Sequence, residues 1–146
     1  MPDVLTTARR AEGTRRSDVA KLLLRLILGS LILVHGIGKI TSGPGVVLDV
    51  VHQAGLPASF GYFVYVGEIV APICVIIGLW TRLGAIIIAI NMLVAVLLVH
   101  AGQFFQLGDS GGWALELQAM YLVVALSIAL LGAGRYSLGG TGGRWN

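Results

Sequence analysis

Four long apolar segments dominate the sequence and limit what the chain can fold into. They cover approximately residues 19–40, 60–80, 83–102 and 113–133, and each is a nearly continuous run of Leu, Ile, Val, Ala and Gly. A helix needs about 20 apolar residues to cross the ~30 Å hydrocarbon core of a bilayer. The segments therefore predict four transmembrane helices, and the short connections between them predict an all-α, up-down four-helix bundle whose surroundings are a lipid bilayer.

The composition excludes several other classes of protein. Of the 146 residues, 56% are hydrophobic and only 12% are charged, which is about half the ~25% charged share of soluble domains. Such a chain lacks the polar surface of a soluble enzyme, and a net charge of +3 without a basic stripe argues against nucleic-acid binding. The single cysteine, Cys74, excludes an intrachain disulfide and a redox-active cysteine pair.

The distribution of Lys and Arg predicts the orientation in the membrane. All of the 10 cationic residues except Lys39 lie before or just inside the first segment, between the second and third, or after the fourth. Because cytoplasmic loops carry the excess of Lys and Arg, we expect a bacterial plasma-membrane protein with both termini in the cytoplasm. Residues 1–17 are predicted to be a flexible basic tail, 18–138 the membrane domain and 139–146 a C-terminal tail. Arg25, one turn inside the boundary, is predicted to snorkel to the headgroups.

The connections and the small residues complete the predicted architecture. An apolar run over residues 46–51, between Gly- and Pro-containing turns, predicts a short helix at the membrane interface. Small residues recur at helical spacing, for example Gly29 with Gly36 and Ala125 with Ala129. Such faces let helices pack closely in lipid, and they permit a homodimer.

Ionisable side chains inside the apolar segments are the main functional signal. A charged group in the middle of a membrane helix costs at least ~2.5 kcal/mol and is a functional candidate by default. Counted at a rise of 1.5 Å per residue, five such groups fall in the half of the membrane away from the termini: His35, Lys39, Glu68, His100 and Glu116. Because each helix supplies at least one, we predict that they face inward and form a partly buried site that can carry protons. Tyr65, three residues before Glu68, is predicted to line an aromatic pocket beside it.

These side chains also have structural interpretations, in which buried polar groups merely bind the helices together. Lys39 can snorkel to the headgroups, Glu116 can cap its helix and His100 can lie at the interface. Asn91, nine residues before His100, falls on the opposite helical face and is predicted to form an interhelical hydrogen bond rather than to join the site. A haem held by His35 and His100 is disfavoured, because spacing across helices carries little information. No metal site is predicted.

An ordered set of short segments carries a family resemblance. The segments are Arg25-Leu26, His35-Gly36-Ile37-Gly38-Lys39, Gly55-Leu56-Pro57, Val66-Gly67-Glu68-Ile69, Gly78-Leu79-Trp80-Thr81-Arg82-Leu83, Asn91-Met92-Leu93-Val94-Ala95, Val99-His100, Gly111-Gly112-Trp113 and Gly132-Ala133-Gly134-Arg135-Tyr136-Ser137. In this order, over roughly residues 22–138, the chain resembles the DoxX family of small four-helix bacterial membrane proteins. The resemblance implies an association with membrane redox complexes, since the family is named after a subunit of a thiosulfate:quinone oxidoreductase. It implies no particular catalytic residues.

Together, the polar groups and the resemblance predict a redox-associated subunit or accessory of a quinone-linked membrane oxidoreductase. His35 and Glu68 would bind or protonate the quinone oxygens, His100 and Glu116 would form a proton path, and Lys39 would offset the negative charge. Imidazoles suit this role because they titrate near neutral pH. Electrons would come from a partner protein or a soluble reductant, because the chain has no cysteine pair and no nucleotide-binding loop.

Two alternatives belong to other classes of protein. In the first, the chain is a non-catalytic membrane scaffold that recruits partner proteins, and its polar groups only tie the helices together. In the second, the chain transports a small solute or protons. That alternative is weaker, because four helices from one chain enclose a narrow pore and no inverted repeat is visible.

Overall fold

The computed structural model describes residues 4–108 and 111–146, which are helical apart from their connections. The helices, in chain order, are α1 (Val4–Ser42), α2 (Gly45–Gln53), α3 (Ala58–Ile77), α4 (Thr81–Val99) and α5 (Glu116–Leu131). Within the described residues, β-type pairing is limited to one isolated bridge between Leu107 and Trp113. The all-α prediction is therefore confirmed for these parts of the chain.

Three helices are long and apolar enough to cross a membrane, namely Glu12–Ser42 within α1, the whole of α3 and the whole of α4. Helix α5 is equally apolar but has only 16 residues, which is about 24 Å at 1.5 Å per residue. The predicted fourth span over residues 113–133 is thus shorter at both ends. It stops at Leu131 because Gly132 adopts a φ of +73°, which a continuing helix does not allow. The structure has three to four apolar helices that suit a bilayer.

Helix α1 is longer than the predicted span, because it begins at Val4. The predicted flexible tail, residues 1–17, is therefore helical from residue 4 onward, and residues 1–3 lie outside the described residues. This segment contains four Arg and two Ala residues, which are strong helix formers. In addition, Arg16 donates a hydrogen bond of 2.5 Å to the carboxylate of Glu12 one turn earlier, a pair that stabilises helices.

The four long helices form a closed ring in which each one touches two neighbours. Helix α1 packs against α3 and α5, and α4 packs against the same two helices from the other side. Small residues permit this approach, as predicted: a Cβ on Gly29 would lie 2.5 Å from the side chain of Ile76. The ring encloses a core of fully buried apolar side chains that includes Leu28, Ile32, Val75, Ala85, Ile88, Ala125 and Ile128. The helix order is that of the predicted four-helix bundle.

Arg25 lies inside the bundle, and the prediction that it snorkels to the headgroups is wrong. The residue is 1% exposed. Its Nε and Nη2 atoms each donate a hydrogen bond of 2.8 Å, to the carbonyl oxygens of Val75 and Ile76 in the last turn of α3. Its Nη1 atom donates to the carbonyl oxygens of Ala133 and Tyr136, at 2.6 and 2.9 Å. Helix ends leave carbonyl groups without intrahelical partners, and a guanidinium has enough donors to satisfy several of them.

Residues 139–146, predicted as a tail, contact the region between the last residues of α3 and the first residues of α4. Asn146 is buried, and its side-chain oxygen accepts a hydrogen bond of 3.0 Å from the hydroxyl of Thr81. Its main-chain oxygen accepts another from Nε of Arg82, also at 3.0 Å. The carbonyl oxygen of Trp145 accepts a third from the Arg82 main-chain nitrogen. The segment is therefore an ordered part of the bundle end that contains Arg25.

Candidate functional site

The end of the bundle away from Arg25 carries the connection between α1 and α3 and the connection between α4 and α5. We call it the loop end. Helix α2 lies here and packs on the first turns of α3 and on α4, which confirms the short helix predicted for the first connection. Its Val51 side chain is buried. The polar groups singled out in the sequence lie beneath this end.

Glu68 lies on a widened turn in the middle of α3. Residues Val66–Val70 form a π-helical turn, and Pro72 follows at the start of the next α-helical segment. Proline has no N–H group to donate to the carbonyl four residues earlier, which here is the carbonyl of Glu68. Single π-turns within α-helices occur frequently at functional sites. The widened turn places Glu68 inside the bundle, where the residue as a whole is only 3% exposed.

Two glycines allow the neighbouring helices to approach this turn. A Cβ on Gly36 of α1 would overlap the carbonyl oxygen of Glu68. Similarly, a Cβ on Gly67 of α3 would lie 2.6 Å from the side chain of Asn91 in α4. Any larger residue would push the helices apart, because packed interiors have little free space. The contact of α1 and α4 with Glu68 therefore depends on glycine at these two positions.

Lys39, Glu68 and Asn91 form one hydrogen-bonded group, which we call the polar cluster. Lys39 Nζ lies 2.5 Å from both carboxylate oxygens of Glu68, and Asn91 Nδ2 donates a hydrogen bond of 3.3 Å to Glu68 Oε1. The side chain of Lys39 is 36% exposed, whereas that of Glu68 is 4% exposed. The cluster connects α1, α3 and α4, and the positive charge of Lys39 balances the buried carboxylate.

The prediction that Asn91 stays outside the site is wrong, although it does form the expected interhelical hydrogen bond. The prediction placed Asn91 opposite His100 by counting nine residues along one helix. However, α4 ends at Val99, and His100 has a φ of −117° outside the helix. Helical periodicity therefore does not fix the direction of the His100 side chain, and both residues reach the same region.

An apolar cavity of about 440 Å³ lies between α2, α3 and α4, on one side of the polar cluster. Its walls are mainly Val, Ile, Leu and Phe side chains, among them four valines of α2, and its polar lining comes from Lys39, Glu68, Asn91 and His100. Small-molecule sites in proteins typically occupy ~300–1,000 Å³ and combine apolar walls with a few polar groups. The cavity has both properties.

A second, smaller cavity of about 180 Å³ lies on the other side of the cluster, against α1, α4 and α5. Lys39, Glu68 and His100 line this cavity as well as the apolar one. The small cavity is more polar, since His35, Gln118 and Tyr121 also line it. The rings of His35 and Tyr121 meet edge to face with their centroids 6.1 Å apart. His35 therefore faces the small cavity rather than the apolar one.

The structure separates the remaining predicted site residues. His100 lies at the junction of both cavities, with Nδ1 3.1 Å from the side-chain oxygen of Gln103. Tyr65 lines neither cavity, and its hydroxyl donates a hydrogen bond of 3.4 Å to the carbonyl oxygen of Lys39. Glu116 is exposed and also lines neither cavity. It is the first residue of α5, and helical side chains point towards the N-terminus, so its carboxylate lies near Gly112 in the preceding loop.

Within the described residues, no three His, Cys, Asp or Glu side chains are grouped as metal ligands usually are. The polar groups that line the two cavities are one balanced ion pair, two imidazoles, two amides and a phenol. These groups can donate and accept hydrogen bonds, and they can transfer protons.

Comparison with known proteins shows the family. The DoxX family profile matches residues 20–101, which include the polar cluster and the walls contributed by α1 to α4. The chain is also 27% identical over 116 residues to a Bacillus subtilis (strain 168) protein named "Putative oxidoreductase CatD", covering 80% of this chain and 81% of that protein. No solved structure matches the chain. Since the family profile covers more than half of the sequence, the chain belongs to the DoxX family.

Proposed function

We propose that this protein is a subunit or accessory of a quinone-linked membrane oxidoreductase and that its apolar cavity binds the quinone. The observation that carries the proposal is the contact between a largely apolar cavity of about 440 Å³ and a buried polar cluster. A lipid-soluble quinone combines an apolar tail with two carbonyl oxygens that need hydrogen-bond donors. The name of the Bacillus subtilis relative, "Putative oxidoreductase CatD", supports a redox role.

The polar lining offers such donors in the apolar cavity. Lys39, Asn91 and His100 can each donate a hydrogen bond to a quinone oxygen, and Glu68 can accept a proton or return it. Conversion of a quinone to its quinol consumes two electrons and two protons. The electrons would come from a redox partner protein or a soluble reductant. His35 faces the other cavity, so its proposed role is proton exchange with Glu68 rather than contact with the quinone.

We also infer that both termini lie in the cytoplasm of a bacterial plasma membrane. The inference rests on the excess of Lys and Arg in residues 9–25, at Arg82 and after residue 134. Labelling of single engineered cysteines in a Cys74→Ala background tests it. A membrane-impermeant thiol reagent added to intact cells should label a cysteine at Ser59, which is exposed in the first turn of α3, and leave one at Ser17 unlabelled. The reverse pattern would refute the orientation.

Binding of a short-chain quinone analogue to the purified protein in detergent tests the main proposal. Val50 lines the apolar cavity, so Val50→Trp should fill it and weaken binding by at least about tenfold, or about 1.4 kcal/mol. Val19→Trp is the matched control, because Val19 is exposed on α1 and lines neither cavity. Glu68→Gln should also weaken binding while keeping the fold. Absence of saturable binding to folded wild-type protein, or full binding by Val50→Trp, would refute the proposal.

A scaffold function is the second candidate, and one observation favours it. Lys39, Glu68 and Asn91 already satisfy one another and join three helices, as a purely structural cluster would. In that case Glu68→Ala should lose folding and partner assembly together, and wild-type protein should bind no quinone. A folded Glu68→Gln variant that has lost quinone binding would exclude the scaffold as the sole function.

A further inference from the structure

Gln118, in the first turns of α5, has a side-chain oxygen that is buried without a hydrogen-bond donor among the described residues. Buried polar atoms in proteins nearly always have a partner, which is either a protein group or an ordered water molecule. Gln118 lines the small cavity. The position of this oxygen therefore raises the question of what the small cavity contains.

The small cavity has the chemistry of a hydrated space. Its titratable lining groups are His35 on α1, Lys39 and Glu68 of the ion pair, His100 after α4 and Tyr121 on α5. Cavities that remain dry in proteins are apolar, whereas cavities with several polar partners hold water. A volume of about 180 Å³ has room for several molecules, since each occupies ~30 Å³ in the liquid.

The small cavity also lies close to the solvent at the loop end. Gln118 is two residues from Glu116, which is exposed and begins α5. By contrast, the apolar cavity lies on the opposite side of the ion pair, under α2. Lys39 and Glu68 thus have an apolar compartment on one side and a polar one on the other.

We propose that the small cavity is a hydration site in which water molecules held by Gln118 and His35 connect the Lys39–Glu68 ion pair to the solvent at the loop end. Hydrogen-bonded water there can pass a proton to or from the Glu68 carboxylate, and His35 can exchange protons with the same water because its ring both donates and accepts. The use of these protons for quinone reduction rests on the proposed function. The presence of the water does not.

Hydroxyl-radical labelling of the full chain in detergent micelles tests the hydration site, because radiolysis of bound water oxidises adjacent side chains. Met92 is the reporter: it lines the small cavity and is only 6% exposed. Met120 on α5 is the internal reference, since it is 62% exposed and lines neither cavity. Met92 should be oxidised in the wild-type protein despite its burial. Gln118→Leu should reduce the oxidation of Met92 by at least about threefold relative to Met120. Gln118→Asn, which keeps the amide, should retain most of the Met92 oxidation seen in the wild-type protein.

The hydration site is refuted if Met92 of folded wild-type protein resists oxidation, or if Gln118→Leu leaves Met92 oxidation unchanged. If Gln118→Leu does not fold, the ratio of Met92 to Met120 oxidation in the wild-type protein and in Gln118→Asn decides the outcome. The quinone titration separates the two proposals, because Gln118 does not line the apolar cavity and its replacement should leave quinone affinity within about twofold. Oxidised Met92 in a protein that binds no quinone would refute the proposed function and support the hydration site.

Discussion

Replacement of Arg25 by Met should strongly destabilise the bundle. Arg25 makes two fully buried hydrogen bonds, to Val75 and Ala133, and two partly buried ones, to Ile76 and Tyr136. We take about 1.5 kcal/mol for each buried bond to a charged group and about 0.5 kcal/mol for each partly buried bond. The loss in unfolding free energy is then at least about 4 kcal/mol, a large share of the ~5–15 kcal/mol stability of a typical domain.

Arg25→Lys keeps the charge but has only three donors on one atom, and one ammonium cannot reach carbonyl groups at two helix ends. We expect it to recover about half of the loss, or about 2 kcal/mol. Arg15→Met is the matched control, because Arg15 lies on the same helix and is exposed. Denaturant unfolding in detergent micelles, followed by circular dichroism, measures all three differences. An unfolding free energy for Arg25→Met within about 1 kcal/mol of wild type would refute the reasoning, since it would show that the four carbonyl groups do not need the guanidinium.

Two further predictions concern backbone contacts and the end of the chain. Gly36→Ala should lower the unfolding free energy by about 1–3 kcal/mol, because its Cβ would overlap the Glu68 carbonyl oxygen; equal melting of Gly36→Ala and wild type would contradict this. In contrast, Gly38→Ala, with open space at its Cβ position, should be neutral or slightly stabilising in the same thermal melt. Thr81→Val should lower the unfolding free energy by about 1 kcal/mol, because it removes the buried hydroxyl bonded to Asn146. It should also speed protease cleavage near residue 140, and an unchanged cleavage rate would argue against that contact.

The general architecture could be predicted because membrane helices can be recognised in a sequence by their length and hydropathy. The rise of 1.5 Å per residue was enough to place Lys39 and Glu68 in the same half of the membrane, and they do form an ion pair. The π-turn at Glu68 was not predicted, since the sequence pattern of a π-turn is close to that of an α-helix. The apolar cavity was not predicted either, because it depends on how α2 packs over α3 and α4.

The two wrong assignments have identifiable physical causes. Arg25 was judged by its depth alone, yet Gly29, Ile32 and Gly36 follow it at intervals of four, three and four residues. This spacing puts all four on one helical face, and that face packs into the bundle. For Asn91, the helical wheel was extended to His100, one residue beyond the end of α4. The depth of a residue in the membrane can be read from the sequence, whereas the direction of its side chain can be read only inside an unbroken helix.

The hydrogen bonds of Arg25 have a consequence for biosynthesis. The residue lies on α1, yet two of its carbonyl partners belong to Ala133 and Tyr136, more than 100 residues later. Until those residues are made, the guanidinium has at most the carbonyl oxygens of Val75 and Ile76 as partners, and a charged side chain left in lipid costs about 2.5 kcal/mol or more. The Arg25 guanidinium therefore gains its full set of partners only when the segment after α5 has been made. A chain interrupted before residue 133 would lack two of the four carbonyl groups that hold the Arg25 side chain inside the bundle.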